Sequence, residues 1–227
     1  MQPTLTGAPF GIVKPQSFYT IGGVLLPTGA YGDVQVTERR LDGGRSRTQA
    51  GWVDYWRQTG WGIGSGPLRT ATIKTLFGNK DDKDVEELRS LFAEDFREAV
   101  ITSTRVTYRA EGLDLITHDA GMPEERTLEA RLVGPDGRVN AEMSDVMQAL
   151  LGNGNAGQVR DVYRWVTGRG EPYLWRFNKR PKQDTERALV LGDYFVGFDV
   201  VAVGYVGGGW PARGVRVAPQ SSTGSKG

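Results

Sequence analysis

Pro3, Pro9, Pro15 and Pro27, with Gly7, Gly11, Gly22, Gly23 and Gly29, punctuate the first thirty residues so closely that no helix fits among them. The apolar pieces between the breaks are short, and the longest, residues 18–26, suits an edge strand. Residues 1–30 therefore read as an extended N-terminal arm that leads into a first strand. Glycine stays frequent throughout, with 32 in 227 residues. A chain interrupted this often is expected to build its core mainly from strands.

Residues 31–40 alternate Val34 and Val36 with Gln35 and Thr37, which predicts a strand. Residues 41–66 follow no period and read as a long loop, and residues 68–77 alternate again, as a return to the sheet. One major amphipathic helix is predicted over 84–100. Asp82 or Asp84 is its cap, Glu86 and Glu87 lie in its first turn, and Val85, Leu88, Leu91, Phe92, Phe96, Ala99 and Val100 form one stripe. Strands follow at 101–109 and 127–133, the latter turning at Gly134-Pro135-Asp136-Gly137 into a hairpin with 138–141. A short helix is expected at 144–151, capped by Ser144 and stopped at Gly152.

The last third reads as β at 159–166, 173–177, 188–191 and 194–206, with Thr167-Gly168-Arg169-Gly170 as the turn of a hairpin over 160–187. Residues 207–227, rich in Gly, Pro and Ser, read as a flexible C-terminal arm. The expected fold class is mainly β (α+β): an antiparallel β-sandwich or barrel in one domain over 31–206, with one major helix, a long loop and extended terminal arms.

Composition removes much familiar chemistry. There is no Cys and a single His, so thiolate and imidazole metal sites, Cys nucleophiles and disulfide scaffolds lack their residues, and no metal or cofactor is expected. Lys and Arg total 28 against 27 Asp and Glu, a net charge of +1, which is no polybasic coat. The Gly60–Gly66 run resembles a phosphate loop, but the dinucleotide fingerprint needs a helix next, and here Pro67 and a Thr-rich, strand-like run follow. His118 reads as a polar loop histidine, and the acids Asp81, Asp82, Asp84, Glu86 and Glu87 as helix capping rather than a cation site. No carboxylate pair is singled out by spacing, so no catalytic residue is assigned and the chain is expected not to be an enzyme. No apolar run is long enough to span a membrane, and no membrane insertion is expected.

Two groups of residues stand out as surfaces. Arg45, Arg47, Trp52, Tyr55, Trp56, Arg57 and Trp61 combine the residue types that dominate interface energetics within the expected loop, and predict a contact with another chain. Arg164, Trp165, Tyr173, Trp175, Arg176, Lys179 and Arg180 lie in the basic hairpin, whose net charge over 160–187 is +4, and form the alternative surface, for a polyanion such as single-stranded nucleic acid. Residues 81–98 carry net −5, and opposite-sign surfaces on one chain suit head-to-tail contacts between copies.

The Pro/Gly arm, the Arg/Trp/Gly segment 41–66, the helix at 84–100 among many strands and the C-terminal arm together resemble, in layout, the structural proteins of tailed bacteriophage particles: tail-tube, neck and baseplate-ring subunits. The resemblance implies a β-sandwich packed on a helix, arms and loops that reach neighbours, a homo-oligomeric ring or tube with other particle proteins as partners, and a place in a virion assembled in the host cytoplasm. Two other functions stay open on the residues alone. One is the β-sheet binding module for nucleic acid or another polyanion, and the other a glycan hydrolase with unassigned carboxylates.

Overall fold

A computed structural model describes residues 9–15, 17–169, 171–193, 198–205 and 207–219. The fold is α+β. One sheet has four strands, β1 (Gly11–Val13), β2 (Phe18–Leu25), β3 (Tyr31–Arg40) and β11 (Arg213–Val217), all antiparallel in that spatial order. The other has seven, in the order β6 (Arg126–Ala130), β5 (Asp114–His118), β4 (Val100–Tyr108), β9 (Thr185–Asp193), β10 (Phe198–Tyr205), β8 (Tyr173–Trp175) and β7 (Gly137–Arg138). Among the described residues only β10 and β8 pair in parallel. Neither sheet closes into a barrel among the described residues.

Five α-helices accompany them where one major helix and one short one are expected: α1 (Gln49–Thr59), α2 (Gly66–Gly78), α3 (Val85–Arg97), α4 (Ser144–Leu151) and α5 (Ala156–Thr167). The stripe that predicts α3 buries Val85, Leu88, Phe92 and Phe96, while Asp84 at its N-cap makes no side-chain cap bond. The other three major helices correct the sequence reading. Residues 41–66 are not a long loop: Thr48 accepts the Gly51 N–H at 3.1 Å, α1 follows, and Gly60 ends it in a left-handed conformation at φ 71°. Residues 68–77 are helical although rich in Thr. The hydroxyls of Thr70, Thr72 and Thr75 donate to the carbonyls four residues back at 2.9, 2.8 and 3.0 Å, and tertiary burial outweighs their weak helix propensity.

The expected hairpin over 160–187 is likewise replaced by α5. Asn155 caps it by accepting the Gln158 N–H at 2.9 Å, and Val159, Val162, Tyr163 and Val166 are buried along one side. Gly168, read as a hairpin turn, is the left-handed residue that stops the helix. The 127–141 hairpin does not form either, since β6 pairs with β5 and β7 with β8. The short helix spans the expected 144–151, but Ser144 is its first helical residue and not its cap: Met143 holds the N-cap position without a side-chain bond, and Asn140 accepts the Glu142 N–H at the short 3-10 turn ahead of α4. Residues 207–219 do not form a separate arm. Arg213–Val217 is β11, paired to β3, and Arg213 is buried with Nε on Asp95 Oδ2 at 3.0 Å, which ties β11 to α3. The ends of both expected arms, and part of the expected 194–206 strand, lie outside the described residues.

The core lies where α2 meets β2 and β11 of one sheet, β4 of the other, and α3, α4 and α5. Phe96, Tyr163 and Phe198 meet there, with the rings of Tyr163 and Phe198 stacked at 4.5 Å. Because β4 is covered on both faces, Val100 to Thr104 are all buried and the strand loses its alternation.

Candidate functional site

The chain is tightly held at the start of α2. Gly64 has φ 66°, and a Cβ there would sit 3.0 Å from Val215 Cβ, so only glycine lets the chain pass this close to β11. The Gly66 N–H donates to Thr104 Oγ1 at 3.0 Å, and that hydroxyl also bonds His118 Nδ1 at 2.9 Å. Ser103 anchors the other side, its N–H on the Gly64 carbonyl at 3.0 Å and its Oγ donating to Asp119 Oδ1 at 2.7 Å. Asp119 follows β5 with φ 55°, a left-handed conformation that Asp tolerates better than most residues.

Ser65 sits in the middle of this arrangement. It is fully buried at the N-cap position of α2, and its Oγ faces Asp119 but makes no hydrogen bond of ordinary geometry. An unsatisfied buried hydroxyl costs about 1–3 kcal/mol, and among the described residues only this hydroxyl and a terminal nitrogen of Arg69 are buried side-chain polar atoms without a hydrogen bond. One turn later, Arg69 is equally buried. Its Nε donates to Ile63 O at 2.8 Å and one terminal nitrogen to Arg213 O at 2.9 Å, while the other has no partner. Burial draws its pKa down to about 10, which still leaves it a cation at neutral pH.

Burial pushes the Asp119 carboxyl up, and the Ser103 hydroxyl, the Arg126 guanidinium and the facing Ser65 hydroxyl pull part of the way back. Burial also lowers the His118 ring to about 4, with Arg126 adding to the effect, so the imidazole is neutral at pH 7. That ring is turned toward Thr104, so no Ser–His pair is formed and Ser65 has no imidazole base. His118 is thus a strand residue in the core and not the polar loop histidine that its neighbours suggest.

Ser65 and Asp119 line a cleft of about 740 Å³ whose walls include Leu26, Trp56, Leu68 and Val215, with Arg126 and Arg216 among its polar side chains. No family model matches the chain, and comparison with curated proteins and with solved structures finds no match either. Among the described residues no group of three His, Asp or Glu side chains is placed to hold a metal ion, and no helix is long and apolar enough to cross a membrane.

The structure scatters the residues of the expected loop interface. Trp52 belongs to the core, fully buried, with Nε1 donating to Trp210 O at 3.1 Å. Arg47 pairs with Asp42 at 2.7 Å and covers the Tyr55 ring at 5.2 Å, and Arg57 pairs with Asp54 on the surface. Trp61 lies under Arg216 at 3.9 Å and edge-on to Phe18. Arg45 is exposed, and Trp56 turns to the cleft.

The alternative polyanion surface is also divided. Arg164 and Trp165 are on α5, where Trp165 packs edge-on to Phe77 under Arg89. Tyr173 and Trp175 are on β8, and Leu174, not the aromatics, is the residue buried there. Arg176 Nε donates to Pro135 O, Arg180 is spent on the buried Asp114, and Lys179 is exposed. The net +4 of this stretch is therefore partly neutralised within the chain. Ser65, Asp119 and Arg126 escape a linear reading because β4 and β5 bring them together. The local signal was Pro67 directly after the Gly-Ser-Gly run, a residue at home in the first turn of a helix.

Proposed function

We propose that the protein is a non-enzymatic structural subunit that assembles with copies of itself into a ring or tube, as part of a tailed-bacteriophage particle. In this reading the two sheets act as the layers of a sandwich parted by α2. The supporting observation is the terminal strand of the larger sheet. Among the described residues β6 pairs only with β5, and its Thr127, Leu128 and Glu129 are exposed, Leu128 at 36%. The smaller sheet ends at β1 in the same way, with Val13 exposed at 63%. A strand with one free edge is a template for pairing with another chain, and a contact between unlike edges propagates around a ring when its rotation closes.

The corresponding experiment is light scattering on the full chain during size-exclusion chromatography. The wild type is expected to elute as an oligomer, and Leu128→Lys, which places a charge on the free edge, as a folded monomer. A monomeric wild type, or a variant that assembles unchanged, would remove the basis of the proposal. The polyanion alternative receives less support, because Arg176 and Arg180 already serve acceptors of their own chain.

A further inference from the structure

The cleft at the start of α2 touches the free-edge strand β6 only at its first residue, Arg126, and the assembly reading gives it no role. Its volume of about 740 Å³ falls in the range of small-molecule sites, and it combines apolar walls with a few convergent polar groups. Trp56 is half-buried in its wall. Unlike Trp52, Trp61, Trp165 and Trp175, each of which meets another ring, it has neither a ring partner nor a side-chain hydrogen bond among the described residues. Its ring is therefore free to receive a flat apolar surface. At the floor, the fully buried Ser65 Oγ has no partner. Arg126 acts on Asp119 and His118 through space but forms no ion pair with a described residue.

The polar groups decide the ligand's charge. A phosphate or carboxylate would draw on the α2 N-terminus, but the Gly66 N–H is already donated to Thr104 and Pro67 has none to give. Asp119 stands beside Ser65, and Glu124 and Glu125 line the mouth, so an anion would meet carboxylates. A cation would meet Arg126. A ligand whose groups each donate and accept satisfies a free hydroxyl, a carboxyl and a guanidinium together, and sugar hydroxyls do this. The C–H face of a pyranose ring also fits an unstacked indole.

We propose that this cleft binds a neutral oligosaccharide, with one sugar ring on Trp56 and its hydroxyls on Ser65, Asp119 and Arg126.

Calorimetric titration and Trp fluorescence of the full chain test the assignment. The probes are tetrasaccharides of β-1,4-glucose, α-1,4-glucose and β-1,4-N-acetylglucosamine, with inorganic phosphate and acetate as anionic probes. At least one tetrasaccharide is expected to bind saturably and to change Trp emission, with Trp56→Ala weakening it about tenfold or more. Ser65→Ala removes an unpartnered hydroxyl, so it should weaken binding while leaving the melting temperature unchanged or raised. It thereby separates binding from folding if Trp56→Ala proves unstable. Binding of phosphate or acetate alone, no saturable binding of any tetrasaccharide, or equal affinity in both variants would overturn the proposal. Oligomeric state does not enter any of these readouts, so the site stands or falls apart from the assembly reading.

Discussion

Acidification should destabilise this protein through one identifiable group, because His118 is its only histidine. In the folded chain burial holds the ring at about 4, against an ordinary value near 6.5. Between those limits the unfolded state takes up a proton that the folded state refuses. Stability therefore falls as pH drops through 6.5, and the loss is complete near pH 4. The gap corresponds to about 3 kcal/mol, most of it lost above pH 4.5. Asp119 works in the opposite sense: its raised carboxyl holds a proton longer in the folded state, which adds stability as pH falls toward its unfolded value of 3.8. Glu87 is lowered by its bonds to Tyr19 and Lys14, so its contribution is lost only below 4.5. Urea unfolding of wild type and His118→Gln from about pH 7 to about pH 4.5 isolates the imidazole, since glutamine does not titrate. The wild type should lose about 2–3 kcal/mol more than the variant over that range. Parallel curves would refute the claim that the ring is buried and neutral.

Trp52→Ala should cost about 3–5 kcal/mol in the isolated subunit, read by urea or thermal unfolding, because a fully buried indole and its bond to Trp210 O are removed together. An interface-only role for this residue would leave the isolated subunit unchanged. Gly66→Ala places a Cβ 2.4 Å from Leu150 O and 2.5 Å from a Leu189 methyl, so thermal unfolding should show a loss of at least about 2 kcal/mol. Gly78→Ala, at the other end of the same helix with nothing within 4 Å, should be neutral or stabilising by up to about 1 kcal/mol.

The strands β2 and β3 and the helices α3 and α4 were legible because one face of each is buried and the other is wet, so the burial period shows in the residues. α2 was hidden for the opposite reason. Leu68, Arg69, Thr70, Thr72, Ile73 and Leu76 are all buried, which erases the periodicity, and its Thr content favours strands. α5 carries a clear spacing at Val159, Val162, Tyr163 and Val166, but its β-branched residues and the following Thr-Gly equally suit a strand and a turn. In α1 the four residues Gln49, Trp52, Val53 and Trp56 share a side, yet Gly51 and the charged neighbours masked the pattern. The cleft shows the same limit. The Gly60–Gly66 run was visible, but its meaning depends on the helix that follows and on Asp119, which only the β4–β5 pairing brings to Ser65.

Hydrogen exchange on the full chain, as isolated subunit and as assembly, tests the assembly account most directly. Residues 49–59 should be equally protected in both states, because α1 packs on its own core through Trp52. Residues 126–130 of β6 should exchange readily in the subunit and become protected only in the assembly, where a neighbour's strand satisfies the free edge. Unchanged exchange in β6 on assembly would contradict the proposed edge contact.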